Sequence, residues 1–206
     1  MKSRSRFALF IFISFSCIFM VTACSSKPIV KRVEVDKTVD LSGRWNDTDS
    51  RLVAGEMIED CLNRPWINKF TVSYKGRNPD VIVGTVVNRS HEHISIETFT
   101  KDLERALINS GRVNFVASKT ERRELREERF DMAQNSSIAT QKAQGQEAGA
   151  DFMLKGTINT IIDEIKGEKV AFYQVDLELI NLLNNRKVWI GDKKIKKYIT
   201  RSRFKF

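Results

Sequence analysis

From residue 49 onward the apolar positions recur at helix or strand spacing, and the stretches between them carry turn residues. Val53, Ala54, Met57, Ile58, Cys61 and Leu62 share one helical face with Arg51, Glu56 and Glu59 opposite, which predicts a helix beginning near Asp49. Before it, Leu41 to Asp49 holds cap and turn residues on either side of Trp45. Cys61 lies within the apolar stripe, where a small thiol behaves as core. Pro65 and Trp66 start a short segment, read as a second helix, through Tyr74, and Gly76 to Pro79 breaks it. Val81 to Val87 is β-branched without alternation, the pattern of a strand covered on both faces, and is the candidate central strand. Asn88-Arg89-Ser90-His91-Glu92-His93 follows as a loop at its C-terminal end, where α/β folds often place binding groups.

Ile96, Phe99, Leu103, Ala106 and Leu107 predict a helix from Ser95, with Gly111 suited to its C-terminal cap. Val113 to Ala117 is a second short strand, and Ser118-Lys119-Thr120-Glu121 has the spacing of a capping box. The helix that box opens is unusual, because ten of the 13 residues from Lys119 to Asp131 are charged. At 100° per residue Arg122, Arg126 and Arg129 share one face, and Glu121, Glu124, Glu127, Glu128 and Asp131 share another. Like charges three and four apart each cost a few tenths of a kcal/mol, so helix stability does not explain the segregation. Either the arginine stripe docks onto an acidic partner, or the face is simply solvated, with Leu125 and Phe130 lightly packed.

Ser136 to Ala148, rich in Ala and Gln, predicts one more helix, ended by Gly149. Phe152, Leu154, Gly156, Ile158, Thr160 and Ile162 then alternate with polar neighbours, as do Tyr173, Val175, Leu177 and Leu179. Lys166 to Lys169 and Asn184 to Arg186 are the turns, and Val188-Trp189-Ile190 starts a last strand. The fold class is therefore α/β: a mixed sheet ending in a three-stranded antiparallel meander, flanked by helices in two or three layers.

Ahead of this domain, Lys2, Arg4 and Arg6 precede an apolar and small-polar run from Phe7 to Met20. As a helix that run would reach about 21 Å, short of the roughly 30 Å hydrocarbon core, so it suits a signal peptide, residues 1–23, that is removed on export. Val21-Thr22-Ala23-Cys24 resembles the bacterial lipobox, which would make Cys24 an acylated first residue of the mature protein. Two or more acyl chains anchor stably at about 0.8 kcal/mol per buried methylene. Residues 24–40, polar and without helical period, are a lipidated N-terminus and short tether of at most about 50 to 60 Å. Residues 41–206 form a single α/β domain with a basic C-terminal tail. With Cys17 in the signal and Cys24 carrying lipid, Cys61 has no disulfide partner.

The net charge of +9 shrinks once located. Of 35 basic residues, three precede the apolar run and seven are Lys193, Lys194, Lys196, Lys197, Arg201, Arg203 and Lys205, which leaves 25 against 26 acidic residues. The domain body is near neutral, which argues against nucleic acid. A basic C-terminus points to an anionic wall or lipid contact or to an acidic protein, or is a solubilising edge strand and tail. His91 and His93 could offer two metal ligands, but no third is signalled, and surface-loop residues are the simpler reading. No phosphate-cradling loop, nucleophile elbow or zinc-helix motif is present, so neither an enzyme nor a cofactor is expected.

The lipobox, Val81 to Ser90, Phe115-Val116-Ala117-Ser118 leading into a helix, Gly149 to Gly156 and Lys187-Val188-Trp189-Ile190-Gly191 occur in an order that resembles the penicillin-binding protein activator lipoproteins of the LpoB kind. The resemblance covers roughly Trp45 to Lys197. It implies a fold related to the N-terminal domain of TolB and an outer-membrane lipoprotein that stimulates a class A penicillin-binding protein without doing chemistry itself. Ser25 after the lipidated cysteine fits the outer-membrane rule of enteric bacteria. The tether departs from the family pattern of a long Pro-rich linker. Either the synthase reaches outward, the anchor lies in the inner membrane, or the partner differs. The expected contact surface is Asn88, Arg89, His91 and His93 of the loop with Arg122, Arg126 and Arg129 of the stripe. The alternative function is a curli-pore-like assembly or secretion lipoprotein, in which the two long strands from Phe152 to Leu182 would enter a membrane barrel.

Overall fold

The computed structural model describes residues 30–200 apart from Asp36, Ala143 and Gln144. The signal peptide, Cys24, the tether up to Ile29, and Arg201, Arg203 and Lys205 lie outside the described residues. The described residues between 30 and 40 form no helix or strand.

Helix α1 spans Asp47–Leu62. It starts two residues ahead of the expected position because Asn46 supplies the cap: its side chain accepts from Asp49 N–H at 3.1 Å, and the Asp49 carboxylate accepts from Asn46 N–H at 2.9 Å. All six residues of the predicted stripe are buried, Val53 completely. Helix α2, Pro65–Ser73, opens on a proline whose missing N–H would have had no partner there. Its Trp66 indole N–H donates to the Cys61 carbonyl at 2.7 Å, satisfying an orphan acceptor at the end of α1. Strand β1 is Asp80–Asn88, helix α3 Ile96–Asn109, strand β2 Asn114–Phe115 and helix α4 Lys119–Asn135. Strands β3, Phe152–Ile165, β4, Glu168–Asn181, and β5, Lys187–Thr200, complete the chain order.

The five strands lie in the order β2-β1-β3-β4-β5, with β1 parallel to both β2 and β3 and the last three antiparallel. This is the expected mixed sheet and meander, with one relocation: β3, not β1, is the middle strand. Val81, Ile82 and Val83 are buried, whereas Thr85 and Val87 are exposed. Val87 pairs with Thr157 on the outer face of the sheet, and β2, which pairs only with Asp80 and Val81, leaves the second half of β1 as an open edge. The expected strand Val113 to Ala117 shrinks accordingly to two residues.

A second correction concerns Ser136 to Ala148, whose described residues contain no helix. Ala and Gln favour a helix by propensity alone, and propensity without an apolar face to bury does not hold a short helix in water. The segment instead crosses from the end of α4 back to β3.

The core lies between the helices and the inner face of the sheet, where Val53, Phe99, Leu103, Leu154, Ile158 and Leu177 are fully buried. Gly156 on β3 permits a close approach: a Cβ there would lie 2.3 Å from Leu177 Cδ2 and 2.7 Å from the Asp176 carbonyl. Alternation along β5 turns Lys193 and Lys197 toward α1, where Lys193 pairs with Glu56 and Lys197 with Asp49 at 2.6 Å and Asp40 at 2.7 Å. Burial alone would lower Lys197, but the Asp40 and Asp49 carboxylates hold it above the ordinary lysine value. Part of the basic C-terminal cluster is therefore neutralised within the fold.

Candidate partner-binding surface

The loop after β1 is built by its own side chains. Asn88 Oδ1 accepts from Ser90 N–H and its Nδ2 donates to the Glu92 carbonyl, both at 2.8 Å, while Ser90 Oγ donates to the same carbonyl at 3.0 Å. These short-range bonds are those Asn and Ser make in turns. Asn88 is thus committed to shaping the loop. Arg89, His91 and His93 are exposed. The Arg89 backbone N–H donates to the Ile158 carbonyl at 2.8 Å, and His91 N–H and Nδ1 both meet Thr160 Oγ1 at 3.3 Å, so β3 holds the loop from the side.

Glu92, between the two histidines, turns inward. Its Oε2 accepts from the Tyr173 hydroxyl at 2.8 Å and from Trp45 N–H at 3.2 Å. Burial pushes the Tyr173 phenol up, and the Glu92 hydrogen bond adds to the shift, so Tyr173 is a proton donor at every physiological pH. Trp45 meets Phe99 and Tyr173 edge-on at 6.0 and 5.7 Å and donates its indole N–H to Ser50 Oγ at 2.8 Å. The histidine loop is fastened to the core through the residue between them. Among the described residues no three His, Cys, Asp or Glu side chains converge as metal ligands.

The arginine stripe lies on α4, which is capped as expected: Ser118 Oγ accepts from Glu121 N–H at 3.3 Å and Glu121 Oε2 from Ser118 N–H at 2.8 Å. Lys101 of α3 adds a bond to Glu121 at 3.0 Å. The two Ser118 bonds and then Lys101 bring the Glu121 carboxyl down to about 2. No residue of α4 is buried, and Leu125 and Phe130 are exposed rather than packed.

Two of the three arginines already have an acid. Arg126 grips Glu147 through Nε and Nη2 at 2.9 and 2.8 Å, and Arg129 Nη1 lies 2.9 Å from the same carboxylate. Arg126, and then Arg129, hold Glu147 below the usual carboxylate range. Glu147 is the one acidic residue in the sequence between Asp131 and Asp151. That isolation is the signal which could have marked it as the partner of the stripe. Arg122 makes no ion pair among the described residues, and its Nε is buried without a hydrogen bond. No hydrogen bond or ion pair joins the loop directly to α4 among the described residues. Helix α3 links them, with Ser95 capping its start beside the loop and Lys101 about 9 Å further along the axis.

The sequence model of the peptidoglycan-synthase activator LpoB family matches residues 49–195. The chain belongs to that family. It is a family of activators and not of catalysts, and no cofactor belongs to it. No curated protein sequence matches the chain. Among solved structures, the LpoB C-terminal domain from Escherichia coli is similar at 14% identity, covering 72% of this chain and 99% of that one, with a TM-score of 0.45. The corresponding domain from Salmonella enterica gives 13% identity, 72% and 99% coverage and a TM-score of 0.43. The PelC dodecamer from Paraburkholderia phytofirmans gives 17% identity, 61% and 76% coverage and a TM-score of 0.35.

Sequence reasoning also missed a staple at the opposite end of β1. Arg77 pairs with Asp80 at 2.5 Å and Asp151 at 2.8 Å while lying 5.0 Å from the centre of the Phe70 ring, and Asp151 accepts from Asp80 N–H at 2.8 Å. It fixes the start of β3 beside the start of β1. Its members are spread from residue 70 to residue 151, so no local pattern announces it.

Proposed function

We propose that the protein is a lipoprotein acylated at Cys24, held at the periplasmic face of the outer membrane, that binds a class A penicillin-binding protein and raises its rate of peptidoglycan synthesis. The observation that carries this reading is the family match over residues 49–195, together with the lipobox preceding it in the sequence.

The contact surface proposed is the exposed part of the loop, Arg89, His91 and His93, together with α4. A helix with no buried apolar side chain is not held by a hydrophobic face, yet this one is capped at Ser118 and clamped by Glu147. Such an element is displayed. Acidic groups of a partner would share Arg126 and Arg129 with Glu147 and meet the terminal nitrogens of Arg122, whose Nε is buried. Activation then requires that the domain bind the active conformation of the synthase more tightly than the resting one.

The barrel-insertion alternative loses its ground in the packing of the two long strands. Phe152, Leu154 and Ile158 of β3 and Tyr173, Val175, Leu177 and Leu179 of β4 supply the inner wall of the core, so their withdrawal into a membrane would unfold the domain. Purified protein added to the lipid II polymerisation reaction of its cognate class A synthase should raise the rate. No change at saturating protein would overturn the activator reading. An Arg122→Ala, Arg126→Ala, Arg129→Ala variant that stays folded and activates fully would remove α4 from the contact.

A further inference from the structure

Arg126 and Arg129 lie three apart on α4 and so project from one face, and Phe130, four beyond Arg126, projects beside them. The three side chains border one concavity of about 470 Å³, which Gly145 and Glu147 close from the other side. Phe130 is 60% exposed there, an apolar ring standing in water next to a charged pair.

The concavity already shows which chemistry it takes, because a carboxylate of the chain itself lies in it. Glu147 Oε1 accepts from Arg126 Nε and Arg129 Nη1, both at 2.9 Å, and its Oε2 accepts from Arg126 Nη2 at 2.8 Å. A guanidinium recognises a carboxylate through just such a pair of parallel bonds, so while Glu147 holds that edge an incoming acid finds only the remaining nitrogens. The backbone that carries Glu147 is lightly held. Gly145, Gln146, Ala148 and Gly149 are exposed, and Gly145 has φ +78°, a region that glycine enters and leaves without strain. Release of Glu147 uncovers no core, since no residue of α4 and none from 145 to 150 is buried.

We infer that Glu147 is a built-in competitor: an Asp or Glu side chain of the synthase displaces it from Arg126 and Arg129, and an apolar neighbour of that acid covers Phe130. This rests on the activator reading and adds to it how the arginine stripe is regulated. A closed clamp leaves only a fraction of the molecules competent to bind, so the measured affinity for the synthase falls by that fraction. It also withholds the arginines from acids that bring no apolar group for Phe130, which favours the right partner over other anions.

The test uses the mature chain with Cys24→Ser and its cognate class A synthase, both purified, with neither lipid II nor wall present, so that the carboxylate taken up belongs to the synthase. Glu147→Gln should lower the Kd about threefold at low salt, the size of effect that solvent-facing ion pairs carry. In an Arg126→Lys background, which keeps the charge and loses the paired bond, the same change should gain less. A second measurement leaves Glu147 in place. A nitroxide on Gln146→Cys, the buried Cys61 thiol being out of reach of the label, should be restrained in the free protein and gain mobility when the synthase is added. Three results overturn the exchange and leave the activator reading standing: a Glu147→Gln chain that binds no tighter while the unaltered one binds and stimulates, an equal gain in both backgrounds, which is a general charge effect, or a nitroxide that stays restrained on binding. An unaltered chain that neither binds the synthase nor stimulates it at saturation overturns the reading beneath.

Discussion

Glu92 stands between two exposed histidines and points the other way, and that single inward turn joins the candidate surface to the core. Its carboxylate is held by Tyr173 and Trp45, residues 81 and 47 positions away in the chain. Tyr173→Phe removes the hydroxyl donor and leaves the carboxylate under-satisfied in a half-buried place. A hydrogen bond to a charged group contributes about 1.5 to 3 kcal/mol, and urea unfolding should show a loss of that order. The exchange of loop amides from Ser90 to Ile94 should quicken as well. Cys61 behaves as core: burial pushes its thiol up to about 12, with a smaller opposing effect from Trp66. Alkylation of Cys61 should therefore follow the rate of unfolding and not the rate of thiol chemistry. Gly156→Ala would press a methyl against Leu177 and the Asp176 backbone, and overpacking of this kind costs about 1 to 3 kcal/mol.

Helices α1 and α4 show two ways in which an element can be specified. Helix α1 has a full apolar stripe and a capping box, so period and cap agree with the burial observed. Ile58→Ala in that stripe should cost about 2 to 5 kcal/mol. Helix α4 has the cap and no buried residue, so its order depends on charges. Glu121 sits at about 2 in the folded chain against a usual value of 4.5. The folded value is the lower one, so the stabilisation is complete above pH 4.5 and is lost as the pH falls toward about 2. Amide exchange in the first turn of α4 should accelerate over that interval while α1 stays protected. At the other end, Glu147→Gln should leave the urea midpoint little changed, because α4 has no buried residue. It should nevertheless loosen residues 145–150, which Glu147 fastens to α4.

At the scale of the molecule, the described residues divide labour between a sheet whose inner face holds the core and an outward display, the loop with α4. Activation of a synthase should depend on that display. The triple arginine variant should therefore lose activation in detergent solution. Much of this body was legible in the sequence. The stripe of α1, most of the face of α3, the caps of α1 and α4, and the alternation of β4 and of β3 as far as Ile158 are local periodicities, and the structure shows each; beyond Ile158, Thr160 and Ile162 are not buried. What the periodicities could not state is which distant element each face meets. The β-branched run of β1 looked central, but its place depended on how far β2 extends, and β2 is two residues long. Ser136 to Ala148 had helical composition and no apolar face, and Glu147 within it was claimed by arginines about twenty residues earlier. Lys193 and Lys197 looked like a free basic cluster until alternation along β5 turned them onto acids of α1 and its approach. Sequence alone determined the elements, because hydrogen-bonded period and capping act within a few residues. Tertiary structure alone decided strand order, the partners of Glu92, Glu147 and Lys197, and which charges remained unspent at the surface, because an ion pair or a strand neighbour is fixed by where the fold returns the chain.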